Sequence, residues 1–219
     1  SGGSDSTYIT TEYEFFQGGL GDDTIDGGDG FDTASYQNAS GSVTVDLSAG
    51  TATGADGSDT LSNIEQVRGS GFADTLTGSA GNDQFEGMGG NDVIDGGIGF
   101  DIIRYMRSNA AVNVDLGAGT ASDGFGGTDT FTNIEGVRGS DFNDTLTGGA
   151  ADESFQGMAG NDILSGGAGN DTASYNMSMA GITANLTTNT ASDGFGGTDT
   201  LINIENLQGS SFNDSLTGN

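Results

Sequence analysis

Large apolar side chains recur at every ninth position between residues 69 and 104, where the chain reads as four tandem nonapeptides. They are Leu76, Phe85, Ile94 and Ile103, and each stands two residues after an Asp that ends a Gly-rich stretch such as GSAGND. One apolar position in nine fits neither the 3.6-residue period of a helix nor the alternation of a long strand. The pattern predicts strands of two or three residues, joined by tight loops in which Gly permits positive φ angles.

A second, longer period lies over the first. The segment GSGFADTLTG at Gly69 recurs seventy residues later as GSDFNDTLTG at Gly139, and after a further seventy as GSSFNDSLTG at Gly209. Spacers between the blocks contain GSVTVDL or AVNVDL, which alternate as strands do, and then DTLSNIEQVR or a close copy. Repeats of this kind bury a core only by stacking on their neighbours. The sequence therefore predicts a solenoid with two nonapeptides per turn and parallel strands about 4.8 Å apart.

The two periods divide the chain into seven segments. They are a first, partial block (1–35), a spacer (36–68), a second block (69–104), a spacer (105–138), a third block (139–174), a spacer (175–208) and the start of a fourth block (209–219). The first spacer is one residue shorter than the others, near TGADGSDT. Because the chain begins without Met and stops within a motif, we expect it to be a piece of a longer protein.

The composition argues against this fold unless something other than the apolar core stabilises it. Leu, Ile, Val and Phe form roughly 19% of the chain, which is below the share at which a highly charged sequence folds unaided. The formal net charge is -28, from 32 acidic residues against 4 Arg, with no Lys, His or Cys. The lack of His and Cys excludes thiolate sites and most transition-metal sites, and the acidity argues against nucleic acid as a partner. No apolar run approaches the length of a membrane span.

The regular Asp positions supply a reason for the acidity. In a stacked coil the loop ending at Asp83 lies over the loop ending at Asp101, and Asp74 lies near Asp92. Two bare carboxylates roughly 5 Å apart repel by about 3 kcal/mol at an effective dielectric constant of about 20. A divalent cation between them replaces this repulsion with attraction. Calcium fits such a site because it accepts carboxylate and carbonyl oxygens in flexible geometry. In the alternative, Gly, Asn and Asp only form turns, and nothing then compensates the repulsion between the carboxylates.

The nonapeptides GGLGDDTID and GGIGFDIIR resemble the pattern GGxGxDxUx, with U large and apolar, of the RTX calcium-binding family. The resemblance implies a right-handed parallel β-roll in which calcium bridges successive loops on each side. It also implies the ligand pairs Asp74 with Asp92, Asp83 with Asp101, Asp144 with Asp162, and Glu153 with Asp171, and it makes Asp5 and Glu14 possible partners of Asp23 and Asp32. Glu153 stands where the pattern has Asp, and Asp214 begins a fourth block.

The predicted calcium ligands are the loop acids and the loop glycines through their carbonyl groups. The acids are Asp23, Asp32, Asp74, Asp83, Asp92, Asp101, Asp144, Glu153, Asp162 and Asp171. The glycines are Gly19, Gly21, Gly28, Gly30, Gly69, Gly71, Gly78, Gly81, Gly90, Gly97, Gly99, Gly139, Gly148, Gly160, Gly167 and Gly169. For Asp59, Asp129 and Asp199 in the spacers, a metal role and a turn role are both open.

These features predict a calcium-binding structural module of a larger bacterial protein. The resemblance implies secretion through the type I machinery, with the chain extended in a calcium-poor cytosol and coiled outside the cell. A second hypothesis is an adhesive module that binds polysaccharide or a cell surface through one face of the coil. We expect no enzymatic activity in this chain, because lyase chemistry needs cationic groups to stabilise a carbanion, and four scattered Arg supply them poorly.

Overall fold

Two sheets built from short strands make up the protein. The computed structural model describes residues 13–219, and these contain twenty-four strands. No helix occurs among the described residues, so none of them forms a helix that could span a membrane. The predicted all-β solenoid is confirmed.

Each sheet takes one strand from every nonapeptide pair. The nine-stranded sheet contains, in spatial order, β1 (Phe15–Phe16), β3 (Thr33–Ser35), β7 (Gln66–Arg68), β9 (Gln84–Glu86), β11 (Ile102–Arg104), β15 (Gly136–Arg138), β17 (Ser154–Gln156), β19 (Thr172–Ser174) and β23 (Asn206–Gln208). The fifteen-stranded sheet contains, in spatial order, β2 (Thr24–Asp26), β6 (Gly57–Ser62), β5 (Thr51–Gly54), β4 (Val43–Asp46), β8 (Thr75–Thr77), β10 (Val93–Asp95), β14 (Thr128–Thr132), β13 (Thr120–Ser122), β12 (Asn113–Asp115), β16 (Thr145–Thr147), β18 (Ile163–Ser165), β22 (Thr198–Ile202), β21 (Thr190–Ser192), β20 (Thr183–Asn185) and β24 (Ser215–Thr217).

Strand register follows the nine-residue period. Leu76 of β8 pairs with Ile94 of β10, and Phe85 of β9 pairs with Ile103 of β11, in parallel ladders. These four side chains are at most 1% exposed, so the middle residue of each strand points into the core between the sheets. One coil turn is therefore two nonapeptides, as the spacing predicts.

The spacers stack in the same coil rather than leaving it. In the second spacer, β12, β13 and β14 form an antiparallel meander within the fifteen-stranded sheet. Its last strand pairs parallel with β10 of the turn before, and its first strand pairs parallel with β16 of the turn after. The strand β15 then returns to the nine-stranded sheet beside β11. Each spacer thus adds three strands to one sheet and one strand to the other.

Buried tyrosines cover the meanders at the point where each spacer begins. Tyr105 and Tyr175 are 4% and 5% exposed, and Tyr36 is half-buried. The hydroxyl groups of Tyr105 and Tyr175 donate hydrogen bonds to Oδ2 of Asp129 and Asp199, at 3.0 and 2.9 Å. Each of these two tyrosines therefore links the start of a spacer to a buried Asp in the last strand of its meander.

Candidate calcium sites

The loop acids lie at the point where each loop enters its strand, and they are buried. Asp74, Asp83, Asp92 and Asp101 are at most 2% exposed. The ion pairs among the described residues join Arg68 and Arg107 to Glu86, so none of these four carboxylates has a cationic side chain beside it there. A buried carboxylate without a counter-charge is strongly unfavourable, which calls for another source of positive charge.

Stacking brings the predicted pairs together through the backbone. In each pair the N–H of the earlier acid donates to a carboxylate oxygen of the acid one turn later. The distances are 2.8 Å for Asp74 to Asp92, 2.7 Å for Asp83 to Asp101, 2.8 Å for Asp144 to Asp162 and 2.9 Å for Glu153 to Asp171. Glu14 donates in the same way to Asp32, at 3.0 Å, whereas Asp5 lies outside the described residues.

Most of these acids keep one oxygen without a partner. Within the predicted ligand set, the buried oxygens that find no hydrogen-bond partner among residues 13–219 are Oδ2 of Asp23, Asp32, Asp92, Asp101, Asp162 and Asp171, Oδ1 of Asp83 and Oε2 of Glu153. Leaving a buried acceptor unsatisfied costs about 1–3 kcal/mol, and more when it is charged. The same pattern recurs in successive turns, which makes these oxygens candidates to bind a cation.

Backbone carbonyl groups of the next turn lie close to the carboxylates of these loops. A methyl group on Gly78 would overlap the carbonyl oxygen of Gly96 in the next turn and lie 2.9 Å from Oδ2 of Asp83. A methyl group on Gly148 would likewise overlap the oxygen of Gly166 and lie 2.8 Å from Oε2 of Glu153. Each of these glycines thus leaves room for a carboxylate and a carbonyl oxygen from successive turns.

The candidate donors in these loops are carboxylate and carbonyl oxygens. Among residues 13–219, no three side chains of His, Cys, Asp or Glu are placed to hold a metal together. Such a mixed oxygen set fits calcium, which accepts carboxylate and carbonyl ligands in flexible geometry.

A family model for the RTX calcium-binding nonapeptide repeat matches residues 15–34, 68–103 and 138–173, which are the stretches with these stacked loops. These blocks are RTX calcium-binding repeats. The resemblance drawn from the sequence is confirmed, and calcium is the ion that such repeats bind. A comparison with curated proteins finds no match.

The loop glycines of the RTX blocks divide into two groups. Positive φ angles occur at Gly19, Gly21, Gly28, Gly30, Gly90, Gly97, Gly99, Gly160, Gly167 and Gly169. At these positions a side chain would strain the backbone, so the glycine shapes the loop. Positive φ is absent at Gly69, Gly71, Gly78, Gly81, Gly139 and Gly148. At Gly78 and Gly148 the requirement for glycine is close approach instead.

Burial and neighbouring carboxylates raise the pKa values of several acids in the RTX blocks. Burial, together with the neighbouring carboxylates of Asp129 and Asp199 respectively, raises the pKa of Asp92 and Asp162 to about 8. Burial, together with the adjacent carboxylate of Asp171, raises the pKa of Glu153 to about 7. A bound divalent cation favours the charged form and reverses these shifts.

Two predicted ligands differ from the rest of the RTX acids. Oδ1 of Asp74 accepts hydrogen bonds of 2.8 Å from the Val43 N–H and the Ser70 hydroxyl, and its Oδ2 accepts one from the Ser70 N–H. Ser140 caps Asp144 in the same way. These blocks carry Ser where the RTX pattern has its second Gly. The carboxylates of Asp74 and Asp144 have hydrogen-bond partners at both oxygens, while Oδ2 of the facing Asp92 and Asp162 has none among the described residues.

In the stacked coil the loop acids of successive turns form columns, and acids of the spacers continue these columns. The sequence alone left the role of the spacer Asp residues open. Acids of the spacers accept hydrogen bonds from the loop acids one turn earlier. The pairs are Asp23 with Asp59, Asp92 with Asp129 and Asp162 with Asp199 on one side, and Asp32 with Glu65, Asp101 with Glu135 and Asp171 with Glu205 on the other. The three Glu residues were not predicted. Their signal was the NIE triplet, which recurs in every spacer.

Proposed function

We propose that this chain is a calcium-dependent structural module of a larger secreted bacterial protein, and that calcium binding drives its folding. The supporting observation is the series of buried acids with an unpartnered oxygen in successive turns of a chain whose net charge is -28. Protons or cations must neutralise these groups before the coil can close. Calcium does so at neutral pH.

Mass action gives the size of the effect. If calcium outside the cell is about one to ten times the dissociation constant of a typical extracellular site, each site adds roughly 0.4–1.4 kcal/mol to stability. Several such sites decide folding for a chain with so few large apolar residues. A chain that stays extended at low calcium suits passage through the type I secretion machinery, and folding outside the cell then prevents its return.

Far-UV circular dichroism during a calcium titration tests this proposal. The chain should be largely disordered in chelator at pH 7.5 and become β-rich as calcium rises. Magnesium should substitute poorly, because it demands tight octahedral geometry and gives up its waters reluctantly. The same folded spectrum in chelator and in calcium would refute calcium-driven folding.

One observation favours the alternative, an adhesive or polysaccharide-binding module. Phe72, Phe142 and Phe212 occupy the same position in successive GSxFxD loops and are 47%, 43% and 53% exposed. Exposed aromatic side chains can stack on sugar rings. Replacing all three with Ser should abolish retention on a polysaccharide column if this surface is adhesive, while leaving calcium-dependent folding intact.

A further inference from the structure

The second and third spacers contain an identical loop that lies outside the matched RTX blocks. The segment SDGFGGTDT begins at Ser122 and again at Ser192. The first spacer has TGADGSDT at this point and is one residue shorter. The loop therefore occurs twice in the chain, with a natural contrast in the first spacer.

Asp123 forms this loop with one oxygen and leaves the other free. Its Oδ1 accepts the N–H groups of Phe125, Gly126 and Gly127 at 2.7, 2.9 and 2.8 Å. Gly124 and Gly126 have φ angles of +75° and +110°, which let the backbone wrap around the carboxylate. The side chain is fully buried, yet Oδ2 has no hydrogen-bond partner among the described residues.

Asp193 repeats every feature of Asp123. Its Oδ1 accepts the N–H groups of Phe195, Gly196 and Gly197 at 2.8 Å each, and its Oδ2 is buried without a partner among residues 13–219. Turn formation accounts for the hydrogen bonds that Oδ1 of each carboxylate accepts. It does not explain why a second, charged oxygen is held away from water in both loops.

The free oxygen of Asp123 faces the neighbouring RTX loop. A methyl group on Gly127 would overlap the carbonyl oxygen of Gly90 and lie 2.7 Å from Oδ2 of Asp123, so these two oxygens converge. Gly90 belongs to the loop that ends at Asp92, whose own Oδ2 is buried and has no hydrogen-bond partner in the described part of the chain. The third spacer has the same arrangement around Gly197.

Asp129 is the spacer acid that stacks directly on Asp92, but it is less able than Asp123 to bind a cation. Asp129 accepts the Asp92 N–H at Oδ1, at 3.1 Å, and the Tyr105 hydroxyl at Oδ2, at 3.0 Å. Both of its oxygens are therefore engaged. Asp123 supplies the free carboxylate oxygen that Asp129 does not.

We propose that Asp123 and Asp193 are ligands of two further calcium sites, in which each acts with the Asp of the preceding RTX loop, Asp92 or Asp162, and with the carbonyl oxygen of Gly90 or Gly160. This inference rests on the proposed calcium-dependent function. It extends the calcium column across the spacers, so that consecutive RTX blocks fold as one unit.

The test compares two double variants that remove the same charge. Asp123→Asn with Asp193→Asn keeps the oxygen that accepts three N–H groups and removes only the free carboxylate oxygen. The control is Asp46→Asn with Asp115→Asn, because these partly exposed acids accept hydrogen bonds only within their own turn, and Asn185 already makes the equivalent bond in the third spacer. Equilibrium dialysis with metal analysis should find about two fewer calcium ions per chain in the first variant and no change in the control.

Terbium luminescence supplies a second readout that does not depend on carboxylate variants. The chain has no Trp, and Tyr105 and Tyr175 contact the proposed sites through Asp129 and Asp199. Tyr105→Phe with Tyr175→Phe should keep the bound calcium unchanged and lower the tyrosine-sensitised emission of bound terbium. Equal calcium binding by the two carboxylate double variants, or undiminished emission in the Phe variant, overturns this inference alone. A wild-type chain that binds no calcium overturns the proposed function as well.

Discussion

The backbone N–H of Asp83 donates a hydrogen bond of 2.7 Å to Oδ1 of Asp101, the acid one coil turn further along the chain. Oδ1 of Asp83 and Oδ2 of Asp101 are both buried, and neither has a hydrogen-bond partner among the described residues. The two carboxylates come from successive loops on one side of the coil. A single ion placed between these loops would bind both of them.

A double-mutant cycle on this pair tests whether one ion is shared. Asp83→Asn and Asp101→Asn should each lower calcium affinity, because each removes a charged ligand and preserves side-chain size. Once one ligand is lost the site is already weakened, so the combined variant should fall short of the sum of the single effects by about 0.5–3 kcal/mol. Calorimetric titration of the four proteins measures this difference.

Asp92 provides the matched control for that cycle. It precedes a strand of the other sheet, so Asp83→Asn and Asp92→Asn damage separate sites, and their effects should add within about 0.5 kcal/mol. Equal calcium affinity in the wild type and in Asp83→Asn would instead show that the carboxylate only forms a turn.

Close approach at Gly78 predicts a loss of stability that calcium cannot restore. In Gly78→Ala the new methyl group overlaps the carbonyl oxygen of Gly96, so the backbone must shift, at about 1–3 kcal/mol. Gly71 is the control, because a methyl group there meets no atom within 4 Å and its φ is not positive. Urea unfolding in saturating calcium should separate the two variants, and equal midpoints would contradict the close approach.

The nine-residue period predicted the blocks because each period repeats one local event, a tight loop followed by one core residue. Leu76 and Phe85 could be assigned to the core from spacing alone. The same spacing defined which loops stack, and so placed Asp83 opposite Asp101. Local pattern and global architecture coincide in a solenoid because every contact is with the adjacent turn.

The spacers were harder to predict because their pairing is not local in this sense. The meander depends on turns such as Asp115 to Gly119, where Oδ1 of Asp115 accepts the Ala118 N–H and Gly119 has φ +67°. Alternation alone shows that such segments are strands, but it does not say which strand meets which block. The role of Asp123 was equally hidden, because its free oxygen is defined only once Gly90 of another turn lies beside it.

Loss of the Tyr105 hydroxyl should destabilise the second spacer. Tyr105→Phe leaves Oδ2 of the buried Asp129 without its donor, which should lower the free energy of unfolding by about 1–3 kcal/mol. Tyr36→Phe is the control, because Tyr36 makes the same bond to Asp59 but is only half-buried, so water can replace its hydroxyl and the effect should be smaller. Denaturant unfolding in calcium measures both, and a larger loss in the Tyr36 variant would contradict this ranking.

Without calcium, protons should substitute for the metal, so acidification should favour the fold. Burial raises the pKa of Asp92 and Asp162 to about 8 and that of Asp101 to about 6, from about 4 in an unfolded chain. The folded chain therefore binds protons more tightly than the unfolded chain. The resulting stabilisation is fully present below pH 4 or so and is lost as pH rises through the folded pKa values, mainly between about 6 and 8.

Circular dichroism of metal-free protein between about pH 5.5 and 8.5 measures this dependence, in a range that stays above the sequence pI of about 4.1. The β-sheet signal should fall as pH rises, and saturating calcium should flatten the curve because the ion replaces the protons. Asp92→Asn with Asp162→Asn should weaken the pH dependence, since an amide needs no proton to be neutral. A metal-free fold that gains structure as pH rises would show that these carboxylates are charged and satisfied without calcium.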